Sequence, residues 1–336
     1  MFSHERIIIR RGPESGQPII VAVHSTALGQ ALGGCRLKPY ADWRDGLADA
    51  LRLSAAMTGK CALAGLPHGG GKTVIVGEHS EAALRDAGTV IEELGGIYAT
   101  GPDVGTGPDD MVTIGERTTH VFCRPVAAGG SGDSSPGTAL GTVAALRAVC
   151  SDRFGSAGFG KRSFALLGLG RVGGRVARLL AEAGAKLVVA DADPAKRALA
   201  DELGAAWVTP GEALTAAVDV VVPAALGGVL TPDSVPTLRC AAVAGPANNQ
   251  LDDPATATLL HERGILWAPD YVVSAGGVIG ATAVELHHES PARVAARLDG
   301  IADTLTAVFA AARRDGVTPS AAATAEARRR VANPRG

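Results

Sequence analysis

Two lysines twelve residues apart, Lys60 and Lys72, flank a glycine-rich stretch in MTGKCALAGLPHGGGKTV (57–74), an otherwise apolar segment and an unusual place for charge. A glycine-rich turn there would let a lysine enter a tight site. Loss of solvent in such a site lowers a lysine pKa toward neutrality and suits it to proton transfer or carbonyl polarisation. Phosphoryl transfer fits less well, because a P-loop has a glycine six residues before its lysine; Leu66 stands there and Gly65 is one residue too far. Either lysine alone would read as a solvated loop residue.

A second centre lies in SFALLGLGRVGGRVARLLAEAGAKLVVAD (163–191), where Gly168, Gly170 and Gly173 have G-x-G-x-x-G spacing. The glycines follow an apolar strand, open an amphipathic helix, and precede a second strand ending at Asp191, eighteen residues past the third glycine. Gly168 permits the tight turn, Gly170 lets backbone approach a pyrophosphate, and Gly173 seats the helix close to the strand. Amides of the helix start hold the phosphates, so Arg171 and Val172 count with the glycines as cofactor-binding residues. Asp191 accepts from a ribose 2′-hydroxyl and repels a 2′-phosphate, which points to NAD over NADP.

The elements that must position these residues suggest an α/β chain of two domains, the natural number for 336 residues. Residues 5–10 and 18–23 read as strands around a turn, and 45–58 as a helix delivering Lys60 at its C-terminus. A strand at 73–77, a helix at 80–94 and a strand at 96–100 follow. The Gly/Ser-rich AAGGSGDSSP (127–136) has no periodicity and reads as a hinge. After a helix over 138–149, unalternating Val/Ala runs alternate with helical patterns, as in a doubly wound parallel sheet. Two Ala/Arg-rich helices close the chain, interrupted at Asp315-Gly316 and restarting after Pro319. The expected division is an N-terminal α/β catalytic domain (1–130), a Rossmann NAD-binding domain (131–290), and C-terminal helices (291–336) packing across or back on the catalytic domain.

Composition narrows the class. The chain is 46% hydrophobic and 20% charged, as in a globular protein, and no apolar run approaches a membrane span. A net charge of −2 with no basic stripe argues against nucleic acid, and the AEARRR run reads as cations on a last helical turn. Cys35, Cys61, Cys123, Cys150 and Cys240 are scattered without CxxC spacing, so they read as small buried residues, with Cys61 the one to watch beside Lys60. The opening MFSHERIIIRR lacks a secretory apolar core, and a cytoplasmic protein is expected.

MTGKCALAGLPHGGGK, HSTALGQALGGCR (24–36), ATGPDVGT (99–106), AGPANNQL (244–251) and WAPDYVVSAGGVI (267–279) together resemble the glutamate/leucine/phenylalanine/valine dehydrogenase family, in order over nearly the whole chain. The likeness is greatest to the bacterial phenylalanine, valine and leucine enzymes. It implies a catalytic domain facing a Rossmann domain across a cleft, no metal, and a homo-oligomer. By motif, Lys60 resembles the lysine that binds the substrate α-carboxylate, and Lys72 the one that polarises the carbonyl and assists water attack. Asp103 resembles the aspartate that exchanges protons with the substrate nitrogen, while the Pro102 carbonyl accepts a hydrogen bond from that nitrogen. Asn248 and Asn249 resemble the pair reaching the nicotinamide and the carboxylate, and Thr138 the residue near the nicotinamide amide. Ala224 and Ala225 join the cofactor contacts, and His68 reads as a structural or loop-positioning residue.

Glutamate-specific members place a lysine before the Gly33-Gly34 pair; here Leu32 stands there, so a buried side-chain carboxylate would lack a partner. Leu32, Met57, Gly101, Val278 and Ala281 are the expected side-chain pocket, and Gly33 and Gly34 count with them as substrate-binding residues. Small residues at Gly101 and Ala281 leave volume that favours aromatic over branched substrates. Ser274 departs from the usual asparagine of the family and questions local hydrogen bonding. The expected function is NAD-dependent oxidative deamination of an apolar L-amino acid. The alternatives are a non-catalytic NAD-binding or redox-sensing homologue, whose mark would be loss of Lys72 or Asp103, and a family dehydrogenase for a bulkier substrate such as tryptophan. A hydroxy-acid dehydrogenase would need a His–carboxylate pair, and none stands out, His287 and His288 reading as surface residues of a helix.

Overall fold

The computed structural model describes residues 4–334. The reading of the opening MFSHERIIIRR falls partly on residues 1–3, and that of the C-terminal segment partly on 335–336, outside the described residues. The chain divides into two compact units: Met1–Ser134 with Ala281–Ser290 and Glu326–Gly336, and Ser135–Gly280 with Pro291–Ala325.

In the first unit the elements are β1 (Arg6–Arg11), β2 (Pro18–Ser25), β3 (Ala31–Lys38), α1 (Trp43–Leu63), β4 (Gly69–Val76), α2 (Glu81–Glu92), β5 (Tyr98–Pro102) and α3 (Pro108–Gly115). The sheet order is β1-β2-β4-β3-β5. β2 pairs antiparallel with β1 and β4, whereas β3 lies parallel to β4 and β5. Two features depart from expectation. The triple glycine is not a loop but the start of central strand β4, and β3 was not foreseen, because ALGGCRLK carries a glycine pair that strand patterns disfavour. The Gly/Ser-rich stretch contains a 3₁₀ turn, Val126–Ala128, and the division between the units falls at its end.

The second unit comprises α4 (Ser135–Phe154), β6 (Ser163–Leu167), α5 (Gly173–Glu182), β7 (Lys186–Ala190), α6 (Arg197–Glu202), β8 (Ala206–Trp207), α7 (Pro210–Leu214), β9 (Val220–Pro223), β10 (Ala242–Val243), α8 (Thr256–Glu262), β11 (Leu266–Trp267) and α9 (Asp270–Val273). Next come α10 (Gly276–Glu285), α11 (Pro291–Asp315) and α12 (Pro319–Ala332). All six strands are parallel in the order β11-β10-β9-β6-β7-β8. With β6 as the first strand, this is the doubly wound order 3-2-1-4-5-6 read from the β8 edge.

The C-terminal segment is not a separate layer. α11 packs on α4 and buries Leu298, Ile301, Leu305, Val308 and Phe309 within the second unit. The division passes through α12, whose Arg330 belongs to the first unit and donates to the carbonyls of Ala62 and Leu63 at the end of α1. That cation therefore caps another helix as well as ending its own. No helix of the described residues is long and apolar enough to cross a membrane.

α4 and α10 meet through backbone. A Cβ on Gly276 would strike the Gly137 carbonyl oxygen, and one on Gly141 would lie 3.0 Å from the Gly276 Cα. Gly276→Ala should force these helices apart at a cost of roughly 1–3 kcal/mol. A thermal unfolding scan should show a lowered midpoint; an unchanged one would contradict backbone contact here.

Candidate active site

Alternation along the strands puts Leu32, Gly34 and Arg36 of β3, Gly70 and Lys72 of β4, and Gly101 of β5 on one face, with Asp103 just past the end of β5. α1 covers that face so closely that a Cβ on Gly70 would strike the Thr58 backbone nitrogen. Met57 and Lys60, both half-buried, sit on the last turns of this helix.

Lys72 is buried, and its Nζ donates to Asp103 Oδ2 at 2.6 Å. The same oxygen accepts from Arg36 Nε at 3.0 Å. Arg36 Nη1 donates to Asp49 Oδ2 at 2.8 Å, and Asp49 also accepts from Tyr40 Oη at 2.8 Å and Arg52 Nη2 at 2.7 Å. Burial is the largest influence on Lys72 and lowers its pKa; the Asp103 carboxylate opposes that shift and the Arg36 cation adds to it. Burial pushes Asp103 up, but Lys72 and Arg36 outweigh it and hold the carboxyl below its ordinary range.

Gly34 makes the pair possible. A Cβ there would lie 2.7 Å from the Asp103 Cβ and 3.2 Å from Lys72 Nζ. Gly33, on the other face, has no room for a Cβ against the Gly71 carbonyl. Leu32 is fully buried one pleat from Gly34. Pro102 is half-buried beside Gly34, and Ala281 is buried on α10.

At Gly101 the structure corrects the volume argument: the space of the missing Cβ faces the Phe122 ring at 2.7–3.1 Å. The glycine there makes room for Phe122, so it does not favour aromatic substrates.

His287 is also corrected. It lies in the turn after α10 and is half-buried, with its Nε2 2.8 Å from the Nε2 of buried His68; His288 is exposed. His68 Nδ1 is 3.0 Å from the Gln30 carbonyl, which can only accept, so a neutral His68 accepts at Nε2 from His287. Burial lowers the pKa of His68. A His–carboxylate pair does exist, His79 with Asp110 at 2.8 Å, but His79 is exposed and Asp110 also accepts from Gly107 at the start of α3. All five cysteines are free; Cys61 is fully buried, which pushes its thiol up to about 12.

In the second unit, a Cβ on Gly168 would lie 2.7 Å from Ala225 Cβ, and one on Gly173 would strike the Gly168 carbonyl oxygen. Gly170 differs, since nothing lies within 4 Å of its would-be Cβ. Two glycines thus close the strand–helix turn while the middle one leaves open space above it, with Arg171 and Val172 leading into α5. That arrangement fits a dinucleotide pyrophosphate. Asp191 accepts from Leu169 N at 2.6 Å and Asp193 N at 2.9 Å, so it also braces the loop.

Asn248 and Asn249 are exposed after β10, Asn249 with φ +53°. Ser274 Oγ donates to Asn248 Oδ1 at 3.2 Å and so helps orient this asparagine. Ala224 follows β9, Thr138 lies on the first turns of α4, and Val278 is half-buried on α10.

Sequence reasoning missed Arg36 and Asp49. Once β3 is recognised, period-two spacing from Leu32 through Gly34 places Arg36 on the lysine face.

A parallel sheet in doubly wound order, with a glycine turn open at its middle position and a separate α/β unit carrying a buried lysine paired with a half-buried carboxylate, is the architecture of Rossmann-type dehydrogenases. Residues 10–120 match the family model for the Glu/Leu/Phe/Val dehydrogenase dimerisation domain, and residues 189–335 that for Glutamate/Leucine/Phenylalanine/Valine dehydrogenase. The chain is 39% identical over 335 residues to a leucine dehydrogenase of Geobacillus stearothermophilus, covering 98% of this chain and 91% of that one. It is 41% identical to a phenylalanine dehydrogenase of Lysinibacillus sphaericus, covering 96% and 87%. Among solved structures, L-tryptophan dehydrogenase from Nostoc punctiforme superposes with a TM-score of 0.89 at 36% identity, covering 99% of this chain and 97% of that one. The chain belongs to the glutamate/leucine/phenylalanine/valine dehydrogenase family. It is an amino acid dehydrogenase, an oxidoreductase acting on CH–NH₂ donors.

Gly34→Ala should push Lys72 and Asp103 out of register. A displacement near 1 Å of groups that touch the reacting atoms costs about 10²-fold in kcat. The variant should show that loss with an unchanged KM for the nucleotide, measured by steady-state kinetics; wild-type kcat would show that the pair tolerates the methyl group.

Proposed function

We propose that this protein oxidises an apolar L-amino acid at Cα to the 2-oxo acid and ammonia, reversibly, with NAD as partner. The observation that carries the reading is the 2.6 Å Lys72–Asp103 pair in a buried setting, within a family of amino acid dehydrogenases. Lys60 binds the α-carboxylate, and Asn249 assists it. The Pro102 carbonyl accepts from the substrate amine and so orients the Cα–H bond. When bound, NAD supplies the hydride acceptor. Gly168, Gly170, Arg171, Val172 and Gly173 hold its pyrophosphate, Asp191 its ribose, and Thr138, Ala224, Ala225 and Asn248 its nicotinamide end.

Loss of hydride from Cα of the neutral amine leaves an iminium. The step needs Lys72 in its neutral form, which burial makes easier to reach by lowering its pKa; it then takes a proton from water as oxygen bonds to Cα. Asp103 relays that proton from Lys72 to the nitrogen of the carbinolamine; Lys72, neutral again, takes the hydroxyl proton as the carbonyl forms, and the C–N bond breaks with its electron pair going to nitrogen to release ammonia. Leu32 and Met57 meet the substrate side chain, and nothing at Leu32 answers a carboxylate. Five unpaired cysteines support the cytoplasm as the compartment. A homo-oligomer is supported by the description of the first matched region as a dimerisation domain.

Purified protein with NAD and L-phenylalanine, L-leucine, L-valine, L-tryptophan or L-glutamate should reduce NAD with at least one apolar substrate. Glutamate should be at least about a hundredfold worse in kcat/KM. The acidic limb of kcat/KM should rise at a pH below the ordinary lysine range of about 10.4, since a lowered pKa makes the base available sooner as pH increases. Reduction with none of the apolar substrates would remove the proposal, and a preference for glutamate would remove the role of Leu32.

A further inference from the structure

Arg36 carries a half-buried guanidinium that the reaction scheme leaves unused. Its Nε reaches Asp103 Oδ2 at 3.0 Å while its Nη1 reaches Asp49 Oδ2 at 2.8 Å, and the side chains of Arg36 and Asp49 are only 14% and 16% exposed. Asp49 is itself fixed by Tyr40 and Arg52, so the fork is braced from behind. A planar guanidinium can join two carboxylates in this way, whereas an ammonium is a single point charge.

We infer that Arg36 is a positioning residue of the reaction: it fixes the Asp103 carboxylate and thereby sets the proton occupancy of Lys72. The inference rests on the deamination reading above. An isolated lysine–carboxylate pair settles as ammonium and carboxylate, each stabilising the charge of the other, and the neutral amine that water attack needs becomes hard to reach. Arg36 changes this balance because its charge is permanent. It answers the Asp103 anion from the second side and repels a second cation at Lys72. When Lys72 gives up its proton, Asp103 is not stranded as an unpaired buried anion.

Cys35 of β3 lies on the opposite face of the sheet from Lys72, and burial pushes its thiol up to about 12, which keeps it uncharged. The charged groups of α1 are Arg44 and Asp45 in its first turn, Asp49 and Arg52, held within the Arg36 brace, and Lys60 in the last turn. None of these replaces Arg36 as a cation on Asp103, whose side-chain donors are Lys72 and Arg36.

The test compares wild type, Arg36→Gln and Arg36→Lys. In Arg36→Gln the acidic limb of kcat/KM should move up by about one pH unit or more, because Lys72 holds its proton more tightly. Its kcat near neutral pH should fall roughly a hundredfold with the NAD KM unchanged. Arg36→Lys should restore the limb but stay roughly tenfold low in kcat, since an ammonium cannot bridge Asp49 and Asp103.

A titration of ¹³C-labelled lysines reads Lys72 without turnover; the chain has six lysines, and Lys72→Arg assigns the signal. The Lys72 signal should titrate at higher pH in Arg36→Gln than in wild type. That readout stands even if no amino acid is oxidised, which separates failure of this inference from failure of the deamination reading. A Lys72 titration and acidic limb unmoved in Arg36→Gln, even with a uniform loss of kcat, would overturn the inference. If Arg36→Gln does not fold, wild-type kcat in Arg36→Lys would overturn it instead.

Discussion

An ammonium and a carboxylate 2.6 Å apart, with the lysine 5% exposed, set the terms for the first unit. Burying two charges is unfavourable unless each finds a partner in good geometry, and removing one partner alone leaves an uncompensated charge. Parallel pairing of β3 with β4 and β5 brings Lys72 and Asp103 to one face, and Gly34 between them leaves the volume that their approach requires. α1 then closes over the same face with Lys60 in its last turn. The glycines of β4 belong to this closure, since Gly70 lies against the backbone of Thr58 and Gly71 against the Tyr98 ring.

The second unit uses glycine for a different end. In the first, glycines let charged side chains and a helix come together; in the second, Gly168 and Gly173 tighten a strand–helix turn and Gly170 leaves its surface bare. Asp191 ties the end of β7 to the glycine turn by accepting from the loop amide of Leu169, so this acid shapes the turn. Ser274 works similarly on Asn248, donating to its side-chain oxygen.

Much of this was legible before any coordinates. The glycine spacing, the strand before it and Asp191 after it read directly as a doubly wound nucleotide fold, because those relations are local. The two lysines announced themselves as charges in apolar sequence. What escaped depended on register between distant strands. β3 hid behind its glycine pair, and with it the position of Arg36. The triple glycine looked like a loop because glycine signals turns when its packing partners are unknown. The partner of His287 is His68, more than two hundred residues away, and no periodicity reports a contact of that range. The Phe122 ring beside Gly101 is likewise invisible to local spacing, so a small residue was mistaken for open volume.

The most direct test of the central claim, that Lys72 and Asp103 act as one unit, is a double-mutant cycle on kcat/KM with Lys72→Ala and Asp103→Asn. Residues that share one chemical task lose it once, so each single variant should fall by about 10²–10⁴-fold and the double variant should be little worse than the more damaged single. Losses that multiply in the double variant would mean that the two groups work independently, and the ion pair would then be a feature of packing and not of catalysis.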